Sequence, residues 1–170
     1  SLATAVNLTQ MKNIARWISD SQKVLFPVTN SGYGVGQKGI YCDEKTPLNP
    51  ISHYGVTKVE AEKSLLDNGN VVTFRLATVF GSSNRMRMDL LVNDFVYRAL
   101  KDRFVVLFES QFKRNYIHIR DISSVFFHAI QKYDSMKGEP YNVGLSNANL
   151  SKMELCIKIK EHLSDFHFFE

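Results

Sequence analysis

Cysteine is scarce in this chain, with two residues, Cys42 and Cys156, in dissimilar surroundings. Such a pair offers neither a disulfide framework nor metal-ligand spacing, so the expectation is reduced thiols in a cytoplasmic protein and no metal centre. No uninterrupted run of about 18 apolar residues occurs, and no charged-then-apolar leader opens the chain, so neither a membrane span nor a secretion signal is expected. Internal repeats and low-complexity tracts are absent as well. The formal net charge of +4 comes from Lys and Arg scattered without a basic stripe. That distribution describes a solvated surface and argues against a nucleic-acid partner.

What the sequence does contain is alternation. Apolar residues at helical spacing (Ala5, Leu8, Met11, Ile14, Ala15, Ile18) predict a helix over 3–18, and the apolar run at 23–28 predicts a buried strand. Further helices are expected at 52–68, 89–100 and 121–132, with a terminal one beginning at 150–154 under a serine or asparagine cap. Strands are expected at 71–77, 104–108, 116–118 and 139–143. Helices alternating with short apolar strands argue for an α/β fold, a parallel sheet with helices on both faces. A chain of 170 residues can bury a single-domain core.

Within the helix at 52–68, Tyr54 and Lys58 stand one turn apart. Side chains at i and i+4 share a helix face with Cβ atoms roughly 5–6 Å apart. A free phenol titrates near pH 10, about three units above neutrality, and a neighbouring cation favours the phenolate. Tyr54 beside Lys58 can therefore exchange a proton with a hydroxyl or carbonyl. Alone, a Tyr and Lys at this interval also describe an ordinary surface helix. The context adds Thr29-Asn30-Ser31-Gly32-Tyr33-Gly34 at the carboxyl end of the strand at 23–28, where open α/β sheets bind ligands.

Gly34-Val35-Gly36-Gln37-Lys38-Gly39 fits G-x-G-x-x-G, but a dinucleotide phosphate loop needs a helix opening straight after it. The next residues carry Asp43, Glu44, Pro47 and Pro50 and no helical periodicity. These glycines are therefore expected to form a flexible loop.

Taken in order, the strand ending in Thr29-Asn30-Ser31-Gly32-Tyr33-Gly34, the segment Pro50-Ile51-Ser52-His53-Tyr54-Gly55-Val56-Thr57-Lys58 and the segment Val72-Thr73-Phe74-Arg75-Leu76-Ala77-Thr78-Val79-Phe80-Gly81 resemble the extended short-chain dehydrogenase/reductases. The likeness is to their NAD-dependent epimerase/dehydratase, nucleotide-sugar epimerase-like branch. Ala5-Val6-Asn7-Leu8-Thr9 looks like the family's helix asparagine motif. Arg114-Asn115-Tyr116-Ile117-His118-Ile119-Arg120-Asp121 is similar to its R-D-Y-I-H-V-x-D segment, and Glu139-Pro140-Tyr141-Asn142-Val143-Gly144 to its Y-N-V-G strand. Family members usually begin with a glycine-rich strand-turn-helix and several βα units, and usually continue past the counterpart of Glu170. The chain thus resembles a central excerpt: a partial, doubly wound Rossmann-like sheet (mainly 1–81 and 113–145) with part of a small substrate-binding lobe (mainly 82–112 and 146–170).

The resemblance implies an NAD(P)-dependent nucleotide-sugar epimerase, at once oxidoreductase and isomerase in its chemistry. Tyr54 would be the acid/base, Lys58 would tune it and bind the nicotinamide ribose, and Thr29, with Ser31 as its rival, would orient the substrate oxygen. Asn7, Leu76 and Ala77, together with Tyr54 itself, match cofactor-lining positions. Thr78 stands where many relatives carry a substrate-binding Asn, Arg114 matches an arginine that grips the substrate diphosphate, and Arg85 and Arg87 would add positive potential. Asn30 and Ser31 stand where dehydratases carry an acidic pair, which favours epimerase over dehydratase. NAD is the expected cofactor, with NADP left open because the discriminating residue belongs to the family's first half. The expected partners are a nucleotide-diphosphate sugar and a second copy of the chain in a homodimer. The alternatives are a reductase or dehydrogenase of the same fold, and a non-catalytic binding fragment that lacks the phosphate loop.

Overall fold

A computed structural model describes residues 1–36 and 41–170. The loop expectation at 34–39 therefore falls partly outside the described residues. The fold is α/β, and the chain divides into two compact units, one of residues 1–76 and 123–143, the other of residues 77–122 and 144–170.

The first unit is built on a three-stranded parallel sheet in the order β1 (Val24–Thr29), β2 (Val71–Leu76), β6 (Pro140–Val143). Its register runs Val24↔Val71 to Thr29↔Leu76 and Thr73↔Pro140 to Leu76↔Val143, so Thr29, Leu76 and Val143 line up at the carboxyl ends. The central strand β2 is buried along almost its whole length, as a parallel strand covered on both faces should be. Its side chains alternate. Phe74 lies 4.9 Å, centroid to centroid, from Phe126 of helix α5 (Ile119–Gln131), while Thr73 and Arg75 meet helix α3 (His53–Leu66). On the α3 side, Phe26, Val28, Ala61, Leu65 and Val71 form a core against which Leu8, Met11, Ala15 and Ile18 pack. Four of the six apolar positions read from the first helix thus face this core, whereas Ala5 and Ile14 are exposed.

That first helix runs as α1 (Leu2–Thr4), a π-helical segment (Ala5–Thr9) and α2 (Gln10–Trp17). The Gln10 amide donates to the Ala5 carbonyl, an i to i+5 bond, and Asn7 sits inside this widened turn. Single π turns of this kind are frequent at functional sites. The Tyr54 helix, α3, starts under Ser52, whose Oγ accepts from the Gly55 amide at 3.0 Å.

The second unit joins β3 (Thr78–Phe80), β5 (Lys113–His118) and β7 (Asn149–Ser151) in one sheet, β3 and β5 parallel and β7 antiparallel. A second sheet pairs β4 (Phe104–Val106) with β8 (His167–Phe169). Val92, Phe95 and Ala99 of α4 (Leu91–Lys101) and Leu155, Cys156 and Ile159 of α7 (Lys152–His162) close its core with Tyr116 and Phe166. Helix α4 begins at Leu91, two residues after the expected start. Asp89 is engaged by Arg87, and Leu90 is extended at φ −82°, ψ 135°. Short α6 (Tyr133–Met136), β7 and β8 had no counterpart among the sequence expectations.

Candidate active site

Strand β1 delivers Thr29 to the carboxyl edge of the first unit's sheet, and the chain turns there into a 3-10 segment, Asn30–Tyr33. The Thr29 Oγ1 accepts from the Ser31 amide at 3.2 Å and lies 2.7 Å from the Ser31 Oγ. The two candidate hydroxyls are therefore hydrogen-bonded to each other. The turn lies tight against α3. A Cβ on Gly32 would come within 2.9 Å of the Val59 side chain, and one on Gly34, at φ +77°, within 2.2 Å of the Asn49 carbonyl.

On α3, Tyr54 is 50% exposed, which leaves its ring accessible to a ligand. Lys58 is half-buried, and its Nζ lies 4.1 Å from the centroid of the Phe26 ring. Burial holds this ammonium below the ordinary lysine value. Among the described residues Lys58 makes no ion pair.

Behind these groups runs a buried polar network that the sequence reading missed. Glu62, 1% exposed, receives Arg75 Nε at 3.1 Å on both carboxylate oxygens and the Thr73 hydroxyl at 2.8 Å. Arg75 Nη1 donates onward to the Tyr33 hydroxyl at 2.9 Å and to the Glu44 carbonyl at 3.1 Å. The Tyr33 hydroxyl in turn donates to Asn142 Oδ1 at 2.7 Å, and the Asn142 amide donates to Glu44 Oε1 at 2.7 Å. Burial raises the Tyr33 phenol above its ordinary value in spite of Arg75, consistent with a hydroxyl that keeps its proton to donate. The available signal was Arg75 itself, a charge inside an apolar strand, which requires a partner.

Leu76 and Asn7, both partly buried, complete the first unit's share of the candidate positions. The remainder belong to the second unit. Ala77 is buried, and Thr78 opens β3 opposite Tyr116. Arg114 is exposed on β5 opposite Leu150 and makes no ion pair among the described residues. Arg85 lines an open cleft of about 140 Å³ with Phe80, Ser83 and Arg87. Arg87 is not a free cation: it forks onto Asp89 at 2.7 and 2.5 Å and holds that carboxyl at about 2.

The family model for the NAD dependent epimerase/dehydratase family matches residues 2–144. The chain belongs to that family. Among curated relatives, this epimerase/dehydratase family member is 26% identical over 156 residues to CDP-paratose 2-epimerase of Salmonella typhi, covering 84% of the chain and 46% of the relative. It is 28% identical over 129 residues to an uncharacterized UDP-glucose epimerase of Bacillus subtilis, covering 72% of the chain and 37% of that protein. The chain thus spans about half the length of the curated relatives it matches, or less. Its fold superposes on dTDP-glucose 4,6-dehydratase of Bacillus anthracis in complex with NAD at a TM-score of 0.85, with 22% identity, 97% of this chain and 56% of that one. The UDP-glucuronic acid 4-epimerase of Bacillus cereus, in complex with UDP-glucuronic acid and NAD, gives 0.79 at 22% identity over 96% and 54%. NAD is the cofactor of this family.

Proposed function

We propose that the complete protein is an NAD-dependent nucleotide-sugar epimerase whose acid/base is Tyr54, with Lys58 and the Thr29–Ser31 pair beside it. The observation that carries this reading is Lys58. In a family member, it is a half-buried cation with no carboxylate partner among the described residues, one turn along α3 from an accessible tyrosine. Tyr54 removes the proton of a sugar hydroxyl as the carbon is oxidised and returns it when the carbon is reduced on its opposite face. The Lys58 charge stabilises the phenolate in between, and the Thr29 and Ser31 hydroxyls orient the substrate oxygen.

The donor chemistry of the first unit suits the nicotinamide-ribose end of NAD. The Lys58 ammonium and the Tyr54 hydroxyl can hydrogen-bond ribose hydroxyls, and Asn7 and Leu76 are the further first-unit positions assigned to it. When bound, NAD supplies the hydride acceptor and donor. No glycine-rich turn opening a helix occurs among the described residues, so the pyrophosphate is not assigned to them. In the second unit Ala77 is assigned to the cofactor and Thr78 to the sugar, while Arg114, exposed and without an ion pair among the described residues, and Arg85 are assigned to the substrate diphosphate. On this reading residues 1–81 and 113–145 are mainly the Rossmann part, which takes in the first unit together with β3 and β5 of the second, and residues 82–112 and 146–170 are mainly the substrate lobe. The two cysteines are free, which suits a cytoplasmic setting, and no described helix is long and apolar enough to cross a membrane. A homodimer with α3 in its interface is proposed from the family resemblance, and sedimentation of the complete protein reads it directly.

A thermal-shift screen of nucleotide sugars with NAD present tests the assignment, followed by NMR of the products. The expected result is stabilisation by a nucleotide sugar and appearance of its epimer without net change in NADH. Net consumption of NAD(P)H would identify a reductase instead, and stabilisation by no nucleotide sugar would remove the proposal.

A further inference from the structure

Tyr54, Lys58 and Glu62 occupy successive i+4 positions on α3 and so form one stripe along the helix. An acid one turn from a lysine is its natural ion-pair partner, yet among the described residues Lys58 makes no ion pair, and it lies against Phe26. The reason is on β2. Arg75 takes both oxygens of Glu62 through its Nε, and Thr73 adds a third bond to Oε1. Arg75 is itself pinned from a second direction by the Tyr33 hydroxyl and the Glu44 carbonyl, and it stacks 5.3 Å from the Tyr33 ring centroid.

We propose that Arg75 is a positioning residue for Lys58: by sequestering Glu62, it denies Lys58 the nearest anion on its stripe and keeps the ammonium uncompensated for Tyr54 and the ligand. This inference rests on the reading of Tyr54 and Lys58 as the acid/base pair. A paired Lys58 would have its charge cancelled and its direction set by Glu62. The unpaired ammonium is held instead by a π face that attracts a cation without neutralising it. Burial of Lys58 pushes its titration down, whereas a carboxylate beside it would push it up. The same pair joins the two halves of the site mechanically. Glu62 belongs to the helix that carries Tyr54, and Tyr33 ends the turn that begins after Thr29.

The test is the titration of Lys58 in the complete, NAD-loaded protein, read by NMR after reductive ¹³C-methylation, with the Lys58 resonance assigned from Lys58→Arg. In Arg75→Gln, Glu62 is released toward Lys58, and the Lys58 midpoint should rise by about one unit. In the double variant Glu62→Gln/Arg75→Gln, no anion is left to release and the midpoint should stay at the parent value. An unchanged midpoint in folded Arg75→Gln, or an equal rise in the double variant, would overturn the proposal. If Arg75→Gln does not fold, Arg75→Lys keeps the charge but loses the separate Nε and Nη1 donors that bond Glu62 on one side and Tyr33 on the other. It should then give a smaller rise in the same direction, and no rise would again overturn the proposal. In turnover, kcat should fall in Arg75→Gln with KM kept, and recover in the double variant. The titration is read without turnover, so its failure is distinct from failure of the epimerase reading, which Tyr54→Phe decides.

Discussion

Tyr116 shows what a single residue costs when its chemistry goes unused. It is 2% exposed in the core of the second unit, and its hydroxyl is the buried side-chain polar atom left without a hydrogen bond among the described residues. Burial raises its phenol above the ordinary value, so the group stays protonated and unsatisfied. An unsatisfied buried polar group costs about 1–3 kcal/mol. Tyr116→Phe removes that cost without opening a cavity. Urea unfolding of the variant should give stability equal to the parent or higher by up to about that amount, and a clear loss would mean that the hydroxyl has a partner in solution. At this scale the sequence was legible where side chains act through local spacing. Tyr54 and Lys58 are one helical turn apart in the chain and therefore on the helix. Glu62 and Arg75 were not legible as a pair, because thirteen positions separate them and only the packing of α3 on β2 brings them together. The pairing of Arg87 with Asp89 escaped notice for the opposite reason: two residues apart in a loop, they meet through backbone geometry that periodicity does not describe.

At the scale of elements, strands β1 and β2 were readable from the apolar runs at 23–28 and 71–77, β2 as the central parallel strand being buried along almost its whole length, whereas β6 was readable from its likeness to the family's Y-N-V-G strand. Elements of three or four residues, such as β7, β8 and α6, were not, since they persist through partners distant in sequence, as β8 does by pairing with β4. The π turn around Asn7 is likewise invisible in a pattern that still reads as helix. The contact between α3 and the turn after β1 is the one on which the candidate site depends, and Gly32 faces Val59 across it. Gly32→Ala puts a methyl 2.9 Å from the Val59 side chain, and β-branched Val59 has little freedom to yield. The substitution should destabilise the protein by about 1–3 kcal/mol in denaturant unfolding. Because it displaces the Thr29–Ser31 turn relative to α3, it should also lower turnover. Parent-like stability and activity would show that the turn and helix have slack.

For the whole molecule, the family match and the parallel sheet were both foreshadowed by the order of motifs along the chain, from Asn7 through Tyr54 to Asn142. The division at Leu76 and Ala77 was less visible, because β2 and β3 are separated by one residue and read as a continuous segment. The chain spans about half of its relatives or less, so catalysis is a property to be measured on the complete protein. Once a nucleotide sugar is found by the screen, the decisive measurement is the rate of its epimerisation by the complete, NAD-loaded protein with and without Tyr54→Phe. Turnover should fall by at least about two orders of magnitude with NAD content and fold retained, because only the ionisable oxygen is lost. Turnover equal to the parent would contradict the assignment of Tyr54 as the base.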